Sequence, residues 1–372
     1  MRIGVPKEIK DNEYRVALTP SSVAELAQHG HAVLVEKGAG LGAGFADAAY
    51  ESSGAALAAS ASEVFESAEL IAKVKEPLAV ERRMLGRGQT LFTYLHLAPD
   101  LELTQELLES GATCIGYETV TSRLGGLPLL TPMSEVAGRL APQIGAHFLE
   151  KAAGGRGVLL AGAPGVPAAE VAILGGGVVG SAATAIALGM GASVIVADRD
   201  PEALRRLDAR FHGAARTVFS TRTAIAEIVK RADLVIGAVL LPGARAPKLI
   251  VHEMLATMKA GAVIVDVAID QGGCCESSRA TSHSDPTFVL DGVLHYCVPN
   301  MPGVVPRTAS FALNNATLPF VLALADKGWR RALREDANLC AGLQISDGKI
   351  VSPAVAQAHG LPCASVAAAL ED

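Results

Sequence analysis

Four polar side chains stand where a parallel sheet would bind a ligand, and their types suit chemistry on a small carboxylic acid. Lys75, His96 and Asp270 each directly follow an apolar, strand-like run, and Arg15 lies in the loop after the first such run. Open α/β sheets bind ligands beyond the carboxyl ends of their strands. The two cations could hold a carboxylate, and the histidine and aspartate could exchange protons with a substrate.

Each of these residues also has an ordinary structural explanation. A lysine or arginine in a loop is usually just solvated. A single histidine such as His96, set among apolar residues, is more often a hydrogen-bonded core or edge group than a catalytic one. Asp266 lies inside its strand and is expected to be structural, whereas Asp270 lies past the strand end. The four residues therefore remain hypotheses that need support from the rest of the chain.

The sharpest local pattern is a glycine turn, Gly175-x-Gly177-x-x-Gly180, which directly follows the strand-like run Val171–Leu174. In such a turn the first glycine allows a tight bend, and the second lets a pyrophosphate approach the backbone. The third lets the following helix pack closely on the strand, and the helix N-terminus attracts the phosphates. The motif alone is weak in a chain with 38 glycines.

The next predicted strand strengthens that interpretation, because it ends at Asp198, 18 residues after Gly180. An acidic residue there can accept hydrogen bonds from the adenosine ribose. It also favours NAD over NADP, since a carboxylate repels a ribose phosphate. Arg199 is a complication, but alternation along the strand is expected to direct its side chain elsewhere.

The pattern of apolar runs predicts two α/β domains. In the first part of the chain short strands alternate with helical stretches, which indicates a parallel sheet. The predicted strands there are Arg2–Val5, Ala32–Glu36, Leu70–Val74, Thr90–Leu95 and Thr113–Tyr117. The predicted helices there are Ser21–His29, Ala61–Ser67 and Asp100–Ser110.

A break near 122–128 precedes a long helix over about 133–153, and four more apolar strands follow it. Those strands are predicted at Val171–Leu174, Ser193–Ala197, Leu234–Ala238 and Val263–Val267. A further helix is predicted over Ala309–Asp326, and the remaining tail is too short for a domain of its own.

The fold class expected is therefore α/β, with two Rossmann-like, doubly wound parallel-sheet domains. Residues 1–128 plus 307–372 would form a substrate domain, into which a nucleotide-binding domain of residues 129–306 is inserted.

Composition narrows the class of protein. The chain has 372 residues, of which 50% are hydrophobic and 19% charged, which excludes an intrinsically disordered protein. Its net charge of −6 argues against nucleic-acid binding. The first residues lack the apolar core of a signal peptide, and the six cysteines show no metal-ligand spacing, so a reduced, cytoplasmic protein is expected. The uncharged stretch 171–197 is long enough to span a bilayer, but its glycines favour strand, turn, helix and strand.

A series of motifs occurs in order along nearly the whole chain, and such a series is more specific than any single motif. Its segments are Gly4–Glu8, Arg15–Pro20, Lys73–Pro77, Leu91–His96, Leu130–Ser134, the glycine turn, Asp266–Gly273 and Asn300–Gly303. In these segments the chain resembles the alanine dehydrogenase family, which also holds the NAD-binding part of proton-pumping transhydrogenases.

The resemblance implies a role for each matching position. Arg15 and Lys75 would hold the substrate carboxylate, His96 and Asp270 would be the acid–base pair, and NAD would be the cofactor. The residues implied to contact NAD, together with the glycine turn, are Ser134, Val178, Val179, Asp198, Ser220, Val239, Leu240, Val267, Ala268, Ile269, Asp270, Arg279, Val298, Asn300 and Met301. The reaction implied is the reversible conversion of L-alanine to pyruvate and ammonium, in an enzyme that is commonly a hexamer.

One departure from the family concerns metal binding. Some members use a Glu and a His in the helix after the ligand site, and the stretch 321–327 offers no such pair, so no metal is expected. The adjacent pair Cys274-Cys275 has no role in this interpretation. Two alternatives stay open: a transhydrogenase-type NAD(H)-binding module without an amino-acid substrate, and a related dehydrogenase that acts on another small 2-oxo acid such as glyoxylate.

Overall fold

The computed structural model describes residues 1–240 and 245–371, and the chain divides into two compact units. Unit 1 contains Met1–Met133 and the residues from Gly303 onward, and unit 2 contains Ser134–Pro302. Unit 2 is thus inserted in the sequence of unit 1. The predicted boundaries followed residues 128 and 306, whereas the structure places them after residues 133 and 302.

The N-terminal part of unit 1 alternates strands and helices. Its strands are β1 (Arg2–Val5), β2 (Ala32–Glu36), β3 (Ala56–Ala58), β4 (Leu70–Ala72), β5 (Thr90–Thr93) and β6 (Thr113–Gly116). Its helices are α1 (Pro20–Gln28), α2 (Asp47–Ser52), α3 (Ala61–Ser67), α4 (Ala79–Arg82) and α5 (Leu101–Ser110). Side-chain caps begin several of these helices: Thr19, Ser60 and Asp100 each accept a hydrogen bond from a backbone N–H of the first turn.

Unit 2 repeats this alternation after the long helix that contains the first boundary. Its helices are α6 (Thr131–Phe148), α7 (Val178–Gly189), α8 (Pro201–Phe211), α9 (Arg222–Arg231) and α10 (His252–Leu255). Its strands are β7 (Glu170–Leu174), β8 (Ser193–Asp198), β9 (Arg216–Phe219), β10 (Leu234–Gly237), β11 (Val263–Asp266), β12 (Thr287–Leu290) and β13 (Val293–Tyr296).

The C-terminal segment completes unit 1. It forms α11 (Pro306–Lys327), α12 (Trp329–Glu335), α13 (Ala337–Cys340), β14 (Leu343–Ser346), β15 (Lys349–Ile350), α14 (Pro353–His359) and α15 (Val366–Leu370). Strand β14 pairs antiparallel with β6, so the tail adds two strands to the first sheet.

Both sheets are doubly wound in the same order. In unit 1 the order is β15-β14-β6-β5-β4-β1-β2-β3, and in unit 2 it is β12-β13-β11-β10-β7-β8-β9. Apart from the antiparallel strands β12, β14 and β15, each sheet has six parallel strands in the Rossmann order 3-2-1-4-5-6. The predicted fold class is confirmed. The order reverses between β1 and β4 in unit 1 and between β7 and β10 in unit 2, and these are the two switch points at which such sheets bind ligands.

The central strands form because most of their residues are apolar, which suits parallel strands covered on both faces. Strands β4, β5, β6, β10 and β11 are buried at every position. Five predicted strands were too long: β4 ends at Ala72 rather than Val74 and β5 at Thr93 rather than Leu95, and β6, β10 and β11 each end one residue before the predicted end. The stretch 171–197 forms β7, α7 and most of β8.

Helix α11 is the one described helix that is long and apolar enough, by length and composition only, to cross a membrane. About 44% of the most apolar 18-residue stretch of this helix is buried inside the protein. Its buried polar residues hold the backbone of unit 1: Asn314 accepts a hydrogen bond from Thr19 N at 2.8 Å, and Ser310 Oγ accepts one from Val16 N at 3.1 Å. The core helix of a folded domain can be equally long and apolar, and the hydrogen bonds of α11 to unit 1 are typical of such a helix.

Candidate active site

The first switch point, in unit 1, holds a buried arginine in a fixed orientation. Arg15 is 2% exposed and forms a two-fold ion pair with Glu13, with Nε–Oε1 at 2.7 Å and Nη2–Oε2 at 2.5 Å. Its Nη1 donates to Met133 Sδ at 3.0 Å. Burial opposes the charged form, but the hydrogen bonds and charge of Glu13 outweigh it and raise the pKa of the guanidinium. Arg15 is therefore a charged group, and one of the contacts of its Nη1 is with a weak sulfur acceptor.

A buried three-residue ion network anchors the segment that carries Lys75. The Lys73 ammonium, which is fully buried, donates to Glu8 Oε2 at 3.1 Å and to Glu81 Oε1 at 2.6 Å. Glu8 also accepts a hydrogen bond from Val74 N at 2.7 Å. Although burial disfavours the ammonium, the two carboxylates outweigh it and raise the pKa of Lys73. This network fixes the backbone next to Lys75, which is half-buried.

His96 lies just beyond β5 in a strained conformation. Its φ is +51°, in the left-handed region that non-glycine residues seldom adopt, and Glu118 holds it there by accepting a hydrogen bond from its N–H at 2.9 Å. Its ring stacks beside Tyr94, with centroids 5.9 Å apart. The imidazole Nδ1 lies 3.2 Å from Glu76 Oε2, and Lys10 binds the other oxygen of Glu76.

The Glu76 carboxylate is the charged partner of that imidazole. Burial alone would raise its pKa, but the hydrogen bonds and charges of His96 and Lys10 outweigh burial and lower the pKa well below its usual value. An ionised carboxylate can only accept, so the proton shared between Glu76 and His96 belongs on Nδ1. That leaves Nε2 as the ring nitrogen for exchange with a substrate.

The second switch point, in unit 2, opens into a cavity of about 610 Å³, which is within the usual range for a small-molecule site. The glycine turn forms its floor. Gly175 has φ +109°, and a Cβ there would lie 2.6 Å from the carbonyl oxygen of Ala238. A Cβ on Gly180 would lie 1.8 Å from the carbonyl oxygen of Gly175, whereas one on Gly177 would meet no described atom within 4 Å. The open space at Gly177, at the start of α7, is where a dinucleotide pyrophosphate fits.

Asp198 closes the other side of this cavity at the end of β8. Its carboxylate accepts hydrogen bonds from Gly176 N at 2.5 Å and Asp200 N at 2.8 Å, which ties the glycine turn to the second strand. Arg199 also lines this cavity. It directly follows the last residue of β8, and its side-chain direction relative to Asp198 stays a prediction.

Asp270 lies in a 3₁₀ turn, Val267–Gln271, that follows β11. Its Oδ1 accepts a hydrogen bond from Asn300 N at 3.1 Å, and Asn300 has φ +57°. Asp266, the last residue of β11, is fully buried and caps this turn by accepting from Ala268 N. The structural role expected for Asp266 agrees with this position, and Asp270 is exposed past the strand end.

The structure brings together part of the predicted nucleotide-contacting set. The predicted residues that line the cavity are Ser134, Gly175, Gly177, Val178, Val179, Asp198, Ser220, Val239 and Leu240. Gly180 lies beneath the turn. The predicted residues that lie outside the described lining are Val267, Ala268, Ile269, Asp270, Arg279, Val298, Asn300 and Met301. Of these, Arg279 lies over the Phe288 ring at 4.3 Å, and Met301 is buried.

Several residues of both switch points were not predicted. Glu13, Glu76 and Glu118 hold the charged groups of unit 1, and Arg222 and Lys248 line the cavity of unit 2. The available signal was an acidic residue near each predicted cation: Glu76 directly follows Lys75, and Glu13 lies two residues before Arg15. Loop residues such as Lys248 have no local pattern that would mark them.

Comparisons with known proteins agree across the whole chain. Residues 4–137 match the family model "Alanine dehydrogenase/PNT, N-terminal domain", and residues 141–353 match "Alanine dehydrogenase/PNT, C-terminal domain". The alanine dehydrogenase of Halomonas elongata is 60% identical over 361 residues, which cover 97% of each chain.

Solved structures give the same result. A structure titled L-alanine dehydrogenase is 51% identical, with a TM-score of 0.94 over 97% of this chain and 99% of that one. A transhydrogenase from Sinorhizobium meliloti is 28% identical, with a TM-score of 0.81 over 95% of this chain and 100% of that one.

Proposed function

Because the chain belongs to the alanine dehydrogenase family, we propose that it catalyses the reversible, NAD-dependent oxidative deamination of L-alanine to pyruvate and ammonium. The observation that carries this proposal is that one chain has two switch points, one suited to a dinucleotide and the other to a small carboxylic acid. Unit 2 has a cavity shaped for a dinucleotide, and unit 1 has cations and a histidine suited to a small 2-oxo acid.

Arg15 and Lys75 are proposed to bind the substrate carboxylate. The Glu13 carboxylate accepts hydrogen bonds from Nε and Nη2 of Arg15, and Nη1 contacts Met133 Sδ. Sulfur is a weak acceptor, so a carboxylate oxygen replaces it with a gain in hydrogen-bond strength. Glu13 thereby keeps Arg15 charged and fixes the orientation of its guanidinium. The Glu8–Lys73–Glu81 network fixes the position of the backbone next to Lys75.

NAD, when bound, supplies the hydride acceptor, and Ser134, Asp198 and the glycine turn are the residues proposed to hold it. The residues implied by the resemblance in 267–270 and 298–301, together with Arg279, are proposed to contact its other parts. Asp198 favours NAD over NADP because a ribose phosphate would face its carboxylate.

His96 and Asp270 are proposed to move the protons. With Nδ1–H bonded to Glu76, His96 Nε2 can take a proton from the water that attacks the imine of pyruvate. The same nitrogen can then protonate the departing ammonia, and Asp270 is the second group proposed to exchange protons with this intermediate. Glu76 holds the ring and its tautomer, so it is a positioning residue.

The assay that tests the proposal is NADH oxidation with pyruvate and ammonium, with glyoxylate in place of pyruvate, and without ammonium. Oxidation that requires ammonium and is faster with pyruvate is expected. A faster reaction with glyoxylate would assign the protein to another 2-oxo acid. Oxidation of NADH only by a second nucleotide would make it a transhydrogenase-type module.

We propose further that the protein is a cytoplasmic homohexamer that binds small molecules, with no nucleic-acid or membrane partner. The negative net charge and the resemblance support this. Light scattering coupled to size-exclusion chromatography tests the assembly state, and a mass of fewer than six chains would contradict it.

A further inference from the structure

A cluster of thiols and one carboxylate lies beneath the turn that carries Asp270. Asp266, Cys274 and Cys275 are all fully buried, and one donor atom from each lies within 4.8 Å of the others. None of these three side chains has a part in the proposed reaction. The adjacent pair Cys274-Cys275 also has no role in binding the proposed substrate or NAD.

The surrounding backbone builds this cluster. Asp266 Oδ2 accepts hydrogen bonds from Cys274 N at 2.8 Å and from Ser278 Oγ at 2.5 Å, whereas Oδ1 accepts one from Ala268 N at 3.1 Å. A carboxylate oxygen has two lone pairs, so Oδ1 retains one. A Cβ on Gly237 would lie 2.4 Å from Cys274 Sγ and 2.8 Å from Asp266 Oδ1, so the bare backbone of β10 leaves room for both donors.

We propose that Asp266, Cys274 and Cys275 form a binding site for one thiophilic divalent cation of the Zn²⁺ type. Two sulfur ligands and one carboxylate oxygen are a donor set that such ions accept, and hard cations such as Mg²⁺ avoid sulfur. The site is distinct from the helix position at 321–327 considered above.

The charge of the buried cluster does not change when the ion binds. Without the ion, the cluster has one carboxylate and two thiols, and its net charge is that of Asp266 alone. Binding forms two metal–sulfur bonds and one metal–oxygen bond and releases two protons to solvent, so the added charge of the cation equals the charge lost. Burial therefore adds little electrostatic cost to the exchange.

A further thiol lies close to the cluster. Burial, together with the charges of Asp266 and Cys275, raises the pKa of Cys297 to about 12.

The site is connected to both functional segments of unit 2. Asp266 caps the turn that carries Asp270, and the carbonyl of Cys274 accepts from Leu249 N at 2.7 Å. Lys248 Nζ donates to the carbonyl of Cys275 at 2.9 Å, and both Lys248 and Leu249 line the nucleotide cavity. An ion at the cluster would hold the turn and the cavity wall together.

The test is a titration of the reduced, metal-free full chain with Cd²⁺, which gives a thiolate-to-metal absorption band that Zn²⁺ does not obscure. One ion per chain, two protons released per ion and displacement by Zn²⁺ are expected. Cys275→Ser should weaken binding at least about tenfold, since even partners that only orient ligands contribute that much. The matched control is Cys363→Ser, which removes an exposed thiol and should leave the titration unchanged.

The proposal is overturned if the band is absent, or if Cys275→Ser binds Cd²⁺ as tightly as the unaltered chain. If Cys275→Ser does not fold, the proton count on the unaltered chain decides, and release of fewer than two protons contradicts paired thiolate ligation. None of these measurements depends on enzymatic activity, so failure here leaves the proposed reaction untouched.

Discussion

In unit 1 the loops that leave β1, β4 and β5 carry charged side chains, whereas in unit 2 the turn that leaves β7 consists of glycines and the described residues directly after β10, 238–240, are apolar. Both sets of loops lie at the switch point of a sheet with the same strand order. Unit 1 offers Arg15 and Lys75 to an anion, and unit 2 offers free backbone N–H groups at the start of α7. Topology therefore fixes where a ligand binds, and the loops decide which ligand it is.

The two switch points also differ in how their polar groups are stabilised when buried. Every buried charge described for unit 1's site has an opposite partner: Glu13 for Arg15, and Glu8 with Glu81 for Lys73. Buried ion pairs do not by themselves stabilise a fold, but breaking one is costly. Unit 2 uses backbone N–H groups instead, and both carboxylates that line its cavity accept from such groups: Asp198 from Gly176 N and Asp200 N, and Asp200 from Glu202 N.

The largest effect is expected from removing the two groups proposed to transfer protons, His96 at the switch point of unit 1 and Asp270 in unit 2. His96→Ala should lower kcat by about 10²–10⁴-fold, the usual contribution of a general acid–base group, and leave NADH binding nearly unchanged. Asp270→Asn should lower kcat by a similar factor, although Asp270 belongs to unit 2. Steady-state kinetics and NADH fluorescence titration measure the two quantities.

The two losses should be less than additive, because residues that act on one intermediate do not contribute independently. A variant that lacks both groups and still turns over within about tenfold of the parent would refute the proposed proton transfers. The amide of Asn at position 270 can still accept from Asn300 N, so Asp270→Asn preserves the local backbone.

A second comparison separates nucleotide binding from substrate binding. Asp198→Ala should raise the Kd for NAD by about tenfold or more and leave the KM for pyruvate nearly unchanged, since the lost hydrogen bonds to ribose involve a charged acceptor. With Arg199 retained in the same cavity, relative use of NADP should improve. An unchanged preference between NAD and NADP would show that Asp198 does not face the ribose.

A third comparison distinguishes the two cations of unit 1. Lys75→Ala and Arg15→Ala should each raise the KM for pyruvate by at least about tenfold, because a charge-assisted hydrogen bond contributes roughly 1.5–3 kcal/mol. Arg15→Ala should also lower the free energy of unfolding, because Glu13 would stay buried without its partner. Thermal unfolding of both variants, with NAD affinity as control, measures the difference. Effects below tenfold from both would exclude a carboxylate clamp.

Sequence patterns predicted the elements of this fold better than the partners of the site. Strand β2 and helix α3 have the predicted bounds, because continuous apolar runs and caps such as Ser60 are local signals. The short strand β3 was missed because Ala56–Ala58 has no β-branched residue. Glu13 and Glu76 were missed because an ion pair depends on which loops meet, and no spacing rule encodes that.

The smallest expected effect concerns the pH dependence of Glu76. The pKa of its carboxyl is below the usual 4.5 in the folded chain, because the hydrogen bonds of His96 and Lys10 outweigh burial. A group whose pKa falls on folding stabilises the protein above its unfolded pKa, and that contribution is lost as pH falls towards the folded value. Glu76→Gln should therefore be less stable than the unaltered chain near neutral pH, and the gap should narrow below about pH 4.5. Urea unfolding at several pH values measures this gap, with Glu66→Gln as the exposed control. A constant stability gap across this range would show that the charge of Glu76 does not contribute to stability beside His96.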